Sequence, residues 1–121
     1  MNLYTAIGNL GETPILRTTP SGRSVTNFDI AVDERYYTGN GQDRVLQKKT
    51  YWIPVVVWSD LAETCVKYLA TGSKISIIGK LHPRSYTDKN NVVHNTFEIV
   101  ADKIEFLRNI RKEESSEAVS S

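Results

Sequence analysis

A small all-β barrel with one helix set between its third and fourth strands is the fold class this sequence predicts, and three observations predict it. Residues 50–58, Thr50-Tyr51-Trp52-Ile53-Pro54-Val55-Val56-Val57-Trp58, read as a single strand with apolar side chains on both faces. Directly behind it, over residues 59–72, the apolar period changes from two to about 3.6, the period of a helix. Strand-like segments resume at Lys74, so the order is three strands, one helix, two strands.

Taken in turn, residues 3–8 alternate loosely and stop at Asn9-Leu10-Gly11, a turn signal, and residues 15–18 resume before Pro20-Ser21-Gly22. This reads as one long first strand interrupted by a kink or bulge. Residues 25–33 alternate cleanly, with Phe28, Ile30 and Val32 facing one way and Asn27, Asp29, Ala31 and Asp33 the other, as a half-buried second strand. The polar stretch 34–49, with Gly39-Asn40-Gly41 as its tip, reads as an extended hairpin arm leading into the third strand at 50–58. In the helix, Ser59 or Asp60 is the expected cap, Asp60 and Glu63 have capping-box spacing, and Leu61, Cys65, Tyr68 and Leu69 make the apolar stripe. Gly72 is placed to close the helix. Residues 74–81 form the fourth strand with a bend or bulge at Gly79, a polar loop follows over 82–91, and the last strand runs from Val92 to about Ile104.

That element order is the order of an OB-fold, a five-stranded Greek-key barrel with one α-helix between strands 3 and 4, here with extended hairpin loops. An SH3-like barrel would not supply a ten-residue helix at that point, and a ferredoxin-like sheet would need two. The expected organisation is one domain over residues 1–110 and a short polar, disordered tail over 111–121, rich in Ser and Glu.

Composition narrows the function classes. The 121 residues are 40% hydrophobic and 24% charged, ordinary values for a globular domain. The net charge of +1 hides an asymmetry: residues 1–112 carry 15 Lys and Arg against 11 Asp and Glu, a balance of +4, while residues 113–121 carry three Glu and no base. A single cysteine, Cys65, excludes an intrachain disulfide, and no leader or apolar span is evident, so a cytoplasmic, nucleoid-associated location and no membrane are expected. His82, His94 and Cys65 lack the spacing of a metal site, Gly39-Asn40-Gly41 lacks the Lys-Ser/Thr of a phosphate loop, and the carboxylates form no apolar pair. No catalytic constellation, metal or cofactor is expected.

The rings and the cations point elsewhere. In the third strand, Trp52, Pro54, Val56 and Trp58 share one face and Tyr51, Ile53, Val55 and Val57 the other, so one face can enter a core while the other needs a subunit, a ligand or stacking bases. The two indoles are roughly 20 Å apart at about 3.3 Å per residue, a separation suited to different units of one polymer. With Phe28, Ile30, Val32, Val55, Val57, Ile75, Ile77, Phe97 and Ile99 already filling a small core, Tyr36, Trp52, Trp58 and Tyr86 are candidate surface platforms. Any one Tyr is as readily explained by packing on its own hairpin; the set of four is not. Arg17, Arg23, Arg35, Arg44, Lys48, Lys49, Lys80, Arg84 and Lys89 lie in or beside the same segments. Cations that neutralise phosphates beside flat rings that stack bases are how proteins hold single strands with little sequence preference.

Taken together and in order, Gly8-Asn9-Leu10-Gly11 with Pro14 and Arg17, Gly22, the strand over 25–31, Trp52 with 55–58, Leu61-Ala62-Glu63, Tyr68-Leu69, Gly72-Ser73 and Gly79-Lys80-Leu81 resemble the bacterial single-stranded DNA-binding protein (SSB) family over residues 3–107. The resemblance implies an OB-fold that binds single-stranded DNA without catalysis, as a homotetramer, in DNA replication, recombination and repair. It places the family's base-stacking aromatics on Tyr36, Trp52, Trp58 and Tyr86, with Tyr at two positions where many members have Trp. Arg17, Arg23, Arg35, Lys48, Lys49, Lys80 and Arg84 are expected on the DNA backbone. Family members commonly end in an acidic, aromatic-tipped tail that recruits replication and repair proteins. This sequence closes at Glu117-Ala118-Val119-Ser120-Ser121 without such a tip, so that recruitment is not carried over.

The expectation is therefore sequence-independent single-stranded DNA binding and protection by a homotetramer, with a dimer as second choice. Two rivals remain at this point: an adaptor similar to the PriB family of primosomal OB proteins, which binds DNA weakly and recruits replication partners, and a purely structural OB subunit whose rings are all interface. RNA is also open, since stacking alone does not read the sugar.

Overall fold

In the computed structural model, which describes residues 1–108, two long strands make the spine of the molecule. β3 (Ser24–Thr38) and β4 (Val45–Trp58) pair antiparallel through fourteen consecutive residue pairs, from Val25 opposite Trp58 to Thr38 opposite Val45. β1 (Tyr4–Leu10) and β2 (Arg17–Thr18) precede them, and β5 (Lys74–Thr87) and β6 (Val93–Arg108) follow the helix α1 (Ser59–Tyr68). The sheet order β1-β5-β6-β4-β3-β2, with an added pairing of β1 to β3, closes the strands into a ring. Closure rests on Asn9 opposite Ala31 and Leu10 opposite Ile30 on one side, and on the parallel pairs Val55–Ile99 and Val56–Val100 on the other.

The expected OB-fold is present, with its helix in the expected place. The first strand is split: β1 pairs with β5 and β3, β2 pairs with β3, and the chain between them is the anticipated kink. Counted as one interrupted strand, β1 and β2 restore the five-stranded plan. Gly79 sits at a register shift between β5 and β6, and a Cβ there would lie 2.3 Å from the Val100 carbonyl oxygen, so only glycine lets the strands approach.

Alternation decides what is inside. Phe28 and Ile30 of β3, Val55 and Val57 of β4, Ile75 and Ile77 of β5 and Ile99 of β6 are buried, and α1 adds Ala62 and Cys65, with Leu69 just beyond its end. Burying each such aliphatic or aromatic side chain contributes about 1.5–3 kcal/mol, so this cluster dominates stability. Phe97, expected in the core, is instead exposed, because β5 and β6 continue as a hairpin past the end of the ring and carry it to the rim.

Several boundaries differ from expectation for identifiable reasons. The segment 82–91, expected as a loop, is mostly ladder: His82 to Thr87 pair with Glu98 to Val93, and the turn is confined to 88–92. β4 runs into α1 with no linker, so Trp58 rather than Ser59 or Asp60 is the N-cap and makes no side-chain cap bond. Ser59 turns the chain with φ 61°, and Asp60 falls in the first turn, where its charge favours the positive end of the helix. Gly72 does not close the helix either; Leu69 is the C-cap, and Gly72, at φ 91°, donates its N–H to the Leu10 carbonyl at 2.9 Å, docking the turn against β1. The tail expected over residues 111–121 lies outside the described residues.

Burial pushes the Cys65 thiol up to about 12, so the reactive thiolate is suppressed at neutral pH. Iodoacetamide is expected to leave Cys65 unmodified in the folded protein and to alkylate it after denaturation. Rapid labelling under native conditions, followed by mass spectrometry, would contradict the packing described for α1.

Candidate nucleic-acid interface

The face of β4 that turns away from the core carries Trp52, Pro54, Val56 and Trp58, opposite Ala31, Asp29, Asn27 and Val25 of β3. Trp52 is 56% exposed and Trp58 half-buried. A Cβ on Gly11 would come within 2.5 Å of the Trp52 ring, so the indole lies directly on that glycine. The ring is thus seated from beneath and open above. Trp58 carries a guanidinium: Arg23 Cζ is 4.4 Å from its ring centroid, within cation–π range.

Three hollows follow this face. One of about 390 Å³ is lined by Arg17, Val25, Asn27, Val56, Trp58, Arg84 and Glu98. A second, of about 330 Å³, shares Asn27, Val56, Arg84 and Glu98 with it and adds Pro54, Tyr86 and Phe97. A third, of about 340 Å³, lies among Ile7, Asn9, Ala31, Asp33, Arg35 and Lys74. Since Ala31 is the cross-strand partner of Trp52, the register strings the hollows along one face with Trp52 between the second and the third. The first two form a groove where β4 and β6 are joined by only two pairs. Within it Arg84 Nη1 meets Glu98 Oε2 at 3.1 Å, which satisfies the carboxylate that an anion would otherwise meet.

Tyr86, 56% exposed, is held on the β5–β6 hairpin by its cross-strand neighbour. The His94 imidazole stacks on it with centroids 4.9 Å apart and planes 16° from parallel. Asp88 accepts from His94 Nε2 at 2.7 Å, with the histidine as donor in the tautomer that fits, and from the backbone N–H groups of Asn90 and Val92 at 2.8 and 3.0 Å. One face of Tyr86 is therefore covered by a ring that the turn itself holds in place. The hydrogen bond from His94, then those from Val92 and Asn90, hold the Asp88 carboxyl below its ordinary 3.8.

Of the residues predicted from sequence, Trp58, Tyr86, Arg17, Arg23 and Arg84 meet at the groove, and Arg35 lines the third hollow. Lys48 lies near Arg35, 3.8 Å from Asp33. Lys80 is exposed opposite Val100, the residue that pairs with Val56. Tyr36 and Lys49 are not brought to this face: both have the parity of the buried side of the ribbon, and Lys49 Nζ sits 5.1 Å from the Tyr51 centroid there. Tyr36 and Tyr86 also lie in paired strands rather than in loops. The sequence reading missed Phe97 as a groove residue and His94 as the support of Tyr86. The first needed the length of the hairpin; the second was available from pairing Tyr86 with His94 across a turn of five residues.

The profile of the Single-strand binding protein family matches residues 1–107. The chain belongs to the single-strand binding protein family. Among the family's members it is 38% identical over 108 residues to the single-stranded DNA-binding protein of Clostridium tetani, covering 88% of this chain and 70% of that one. It is 40% identical over 88 residues to single-stranded DNA-binding protein 1 of Chlorobaculum tepidum, covering 73% of this chain and 52% of that one. In structure it is similar to the Plasmodium falciparum SSB solved in complex with single-stranded DNA, with TM-score 0.80 and 27% identity over 88% of this chain and 95% of that one.

The lowered Asp88 carboxyl means that the ordering of the 88–92 turn is fully present above pH 3.8 and is lost as pH falls through the lower folded-state value. The Asn90 and Val92 amide resonances are expected to titrate with a midpoint below 3.8, and His94→Ala to move that midpoint up toward 3.8. A midpoint at or above 3.8 in the parent protein would contradict the His94–Asp88 contact.

Proposed function

We propose that this chain binds and protects single-stranded DNA without catalysis and with little sequence preference, in replication, recombination and repair. The observation that carries the reading is the face of β4: two tryptophans on one side of an unbroken ribbon, one seated on Gly11 and one beneath Arg23, bordering a groove lined by Arg17, Arg84 and Tyr86. Flat rings accept any base, and flanking cations accept the backbone. In this reading Trp52, Trp58 and Tyr86 stack bases, and Arg17, Arg23, Arg35, Lys48, Lys80 and Arg84 hold phosphates. Tyr36 and Lys49 meet the strand only where it crosses to the other side of the arm. Family membership and the likeness to an SSB in complex with single-stranded DNA support the same ligand.

The chain acts as a homo-oligomer in this reading, a tetramer first. What supports it is the outward side of β1 and β5, where Ile7 and Ile78, which lies opposite Thr5, are exposed, with exposed Leu3 one residue before β1, apolar surface that a second copy would cover. Its expected setting is the cytoplasm, in contact with the nucleoid; among the described residues no helix is long and apolar enough to cross a membrane.

Trp52→Ala and Trp58→Ala are each expected to weaken oligo(dT) binding roughly five- to a hundredfold, the effect of one lost base stack. Affinity should also fall as salt rises, with a log–log slope near −0.7 for each phosphate neutralised, and Arg84→Gln should flatten it by about one such increment. Parent-like affinity in both tryptophan variants, or a flat salt response, would remove the proposed interface.

A further inference from the structure

The β3–β4 register extends the stacking face beyond Trp52. Because side chains alternate and the fourteen pairs continue without a break, the residues that share a face with Trp58 and Trp52 are the even positions of β4 and the odd positions of β3. Six residues separate Trp58 from Trp52. Six more lead to Leu46, and its cross-strand partner on that face is Tyr37. The three rings thus recur at intervals of roughly 20 Å along one ribbon.

The ends of this series are built alike. Arg44 Cζ stands 4.2 Å from the Tyr37 centroid, as Arg23 Cζ stands 4.4 Å from that of Trp58. Tyr37 is 58% exposed, so the guanidinium covers only part of the ring and leaves contact area for a base. Between Tyr37 and Trp52 the same face carries Arg35, Lys48, Thr50 and Asp33, and the one carboxylate among them is engaged by the Thr50 hydroxyl at 2.7 Å and by Lys48 at 3.8 Å. Tyr36, its neighbour in sequence, points to the opposite side.

We infer that Tyr37, with Arg44 against its ring, is a further base-stacking platform that carries the single-stranded DNA site from Trp52 out to the tip of the β3–β4 arm. The ring takes a base of any identity, and Arg44 takes the adjoining phosphate. The twist of the ribbon turns the face along its length, so a flexible single strand follows it while a stiff duplex does not.

This inference rests on the single-stranded DNA reading, and one experiment separates the two. A ladder of oligo(dT) lengths is titrated by anisotropy against the parent protein, Tyr37→Ala, Tyr37→Phe and Arg44→Gln, with Trp52→Ala alongside. Failure of the parent to bind at any length would sink the DNA reading itself. With the parent binding, Tyr37→Ala should lose about fivefold or more on oligonucleotides long enough to reach the tip, and nothing on those spanning only the tryptophans. Tyr37→Phe should restore the loss, and Arg44→Gln should lower the salt slope on the long oligonucleotides alone. Unchanged affinity of Tyr37→Ala at every length overturns the inference. An equal loss at every length, or no rescue by phenylalanine, overturns it as well, because either would mark the ring as a brace for the arm.

Discussion

The unbroken pairing of β3 with β4 is the constraint on which the rest of the structure depends. A slip of β4 by one residue against β3 would turn Trp52, Pro54, Val56 and Trp58 to the core side in place of Val55 and Val57, so burial of the two valines opposite Phe28 and Thr26 holds both tryptophans outside. The exposure of two tryptophans is thus a consequence of core packing. Water-facing indoles are unfavourable by themselves, and the large stability of the packed side offsets that cost.

Around this ribbon, small contacts set where each ring stands. Gly11 lets the Trp52 ring lie against the backbone, and Gly11 N–H is in turn fixed to the Asp29 carbonyl at 3.0 Å, so the seat belongs to the barrel wall. Arg23 and Arg44 lie over Trp58 and Tyr37, and His94 lies against Tyr86. In the proposed reading each of these rings would meet a base with one contact already made, which lowers the side-chain entropy lost on stacking. The Arg84–Glu98 pair has a related effect: it holds a guanidinium along the groove while neutralising the carboxylate beside it.

Much of this was legible in the sequence because it rests on alternation. Residues 25–33 display their period of two plainly, and the change to a helical period at Ser59 marks the point where strand gives way to helix. Where the sequence misleads, a tertiary contact has overridden a local signal. Asp60 and Glu63 have capping-box spacing, yet β4 enters the helix directly and leaves no free cap position. The polar stretch 82–91 looks like a loop, but its first six residues, 82–87, pair with β6, because a two-stranded arm wetted on both sides needs no apolar alternation. That extra ladder also carries Phe97 out of the core and sets His94 beneath Tyr86. Tyr36 and Tyr37 show the limit of reading residue types without counting parity: adjacent tyrosines on a strand look in opposite directions, and the register of β3 against β4 tells which one shares a side with Trp52.

The most direct test of the account is intrinsic tryptophan fluorescence during titration with oligo(dT), repeated with a duplex of similar length. Both indoles lie on the face proposed to meet the bases, so the single strand should quench the emission strongly and saturably while the duplex leaves it nearly unchanged. Emission indifferent to the single strand, or quenched equally by both, would contradict the claim that Trp52 and Trp58 are platforms for unpaired bases.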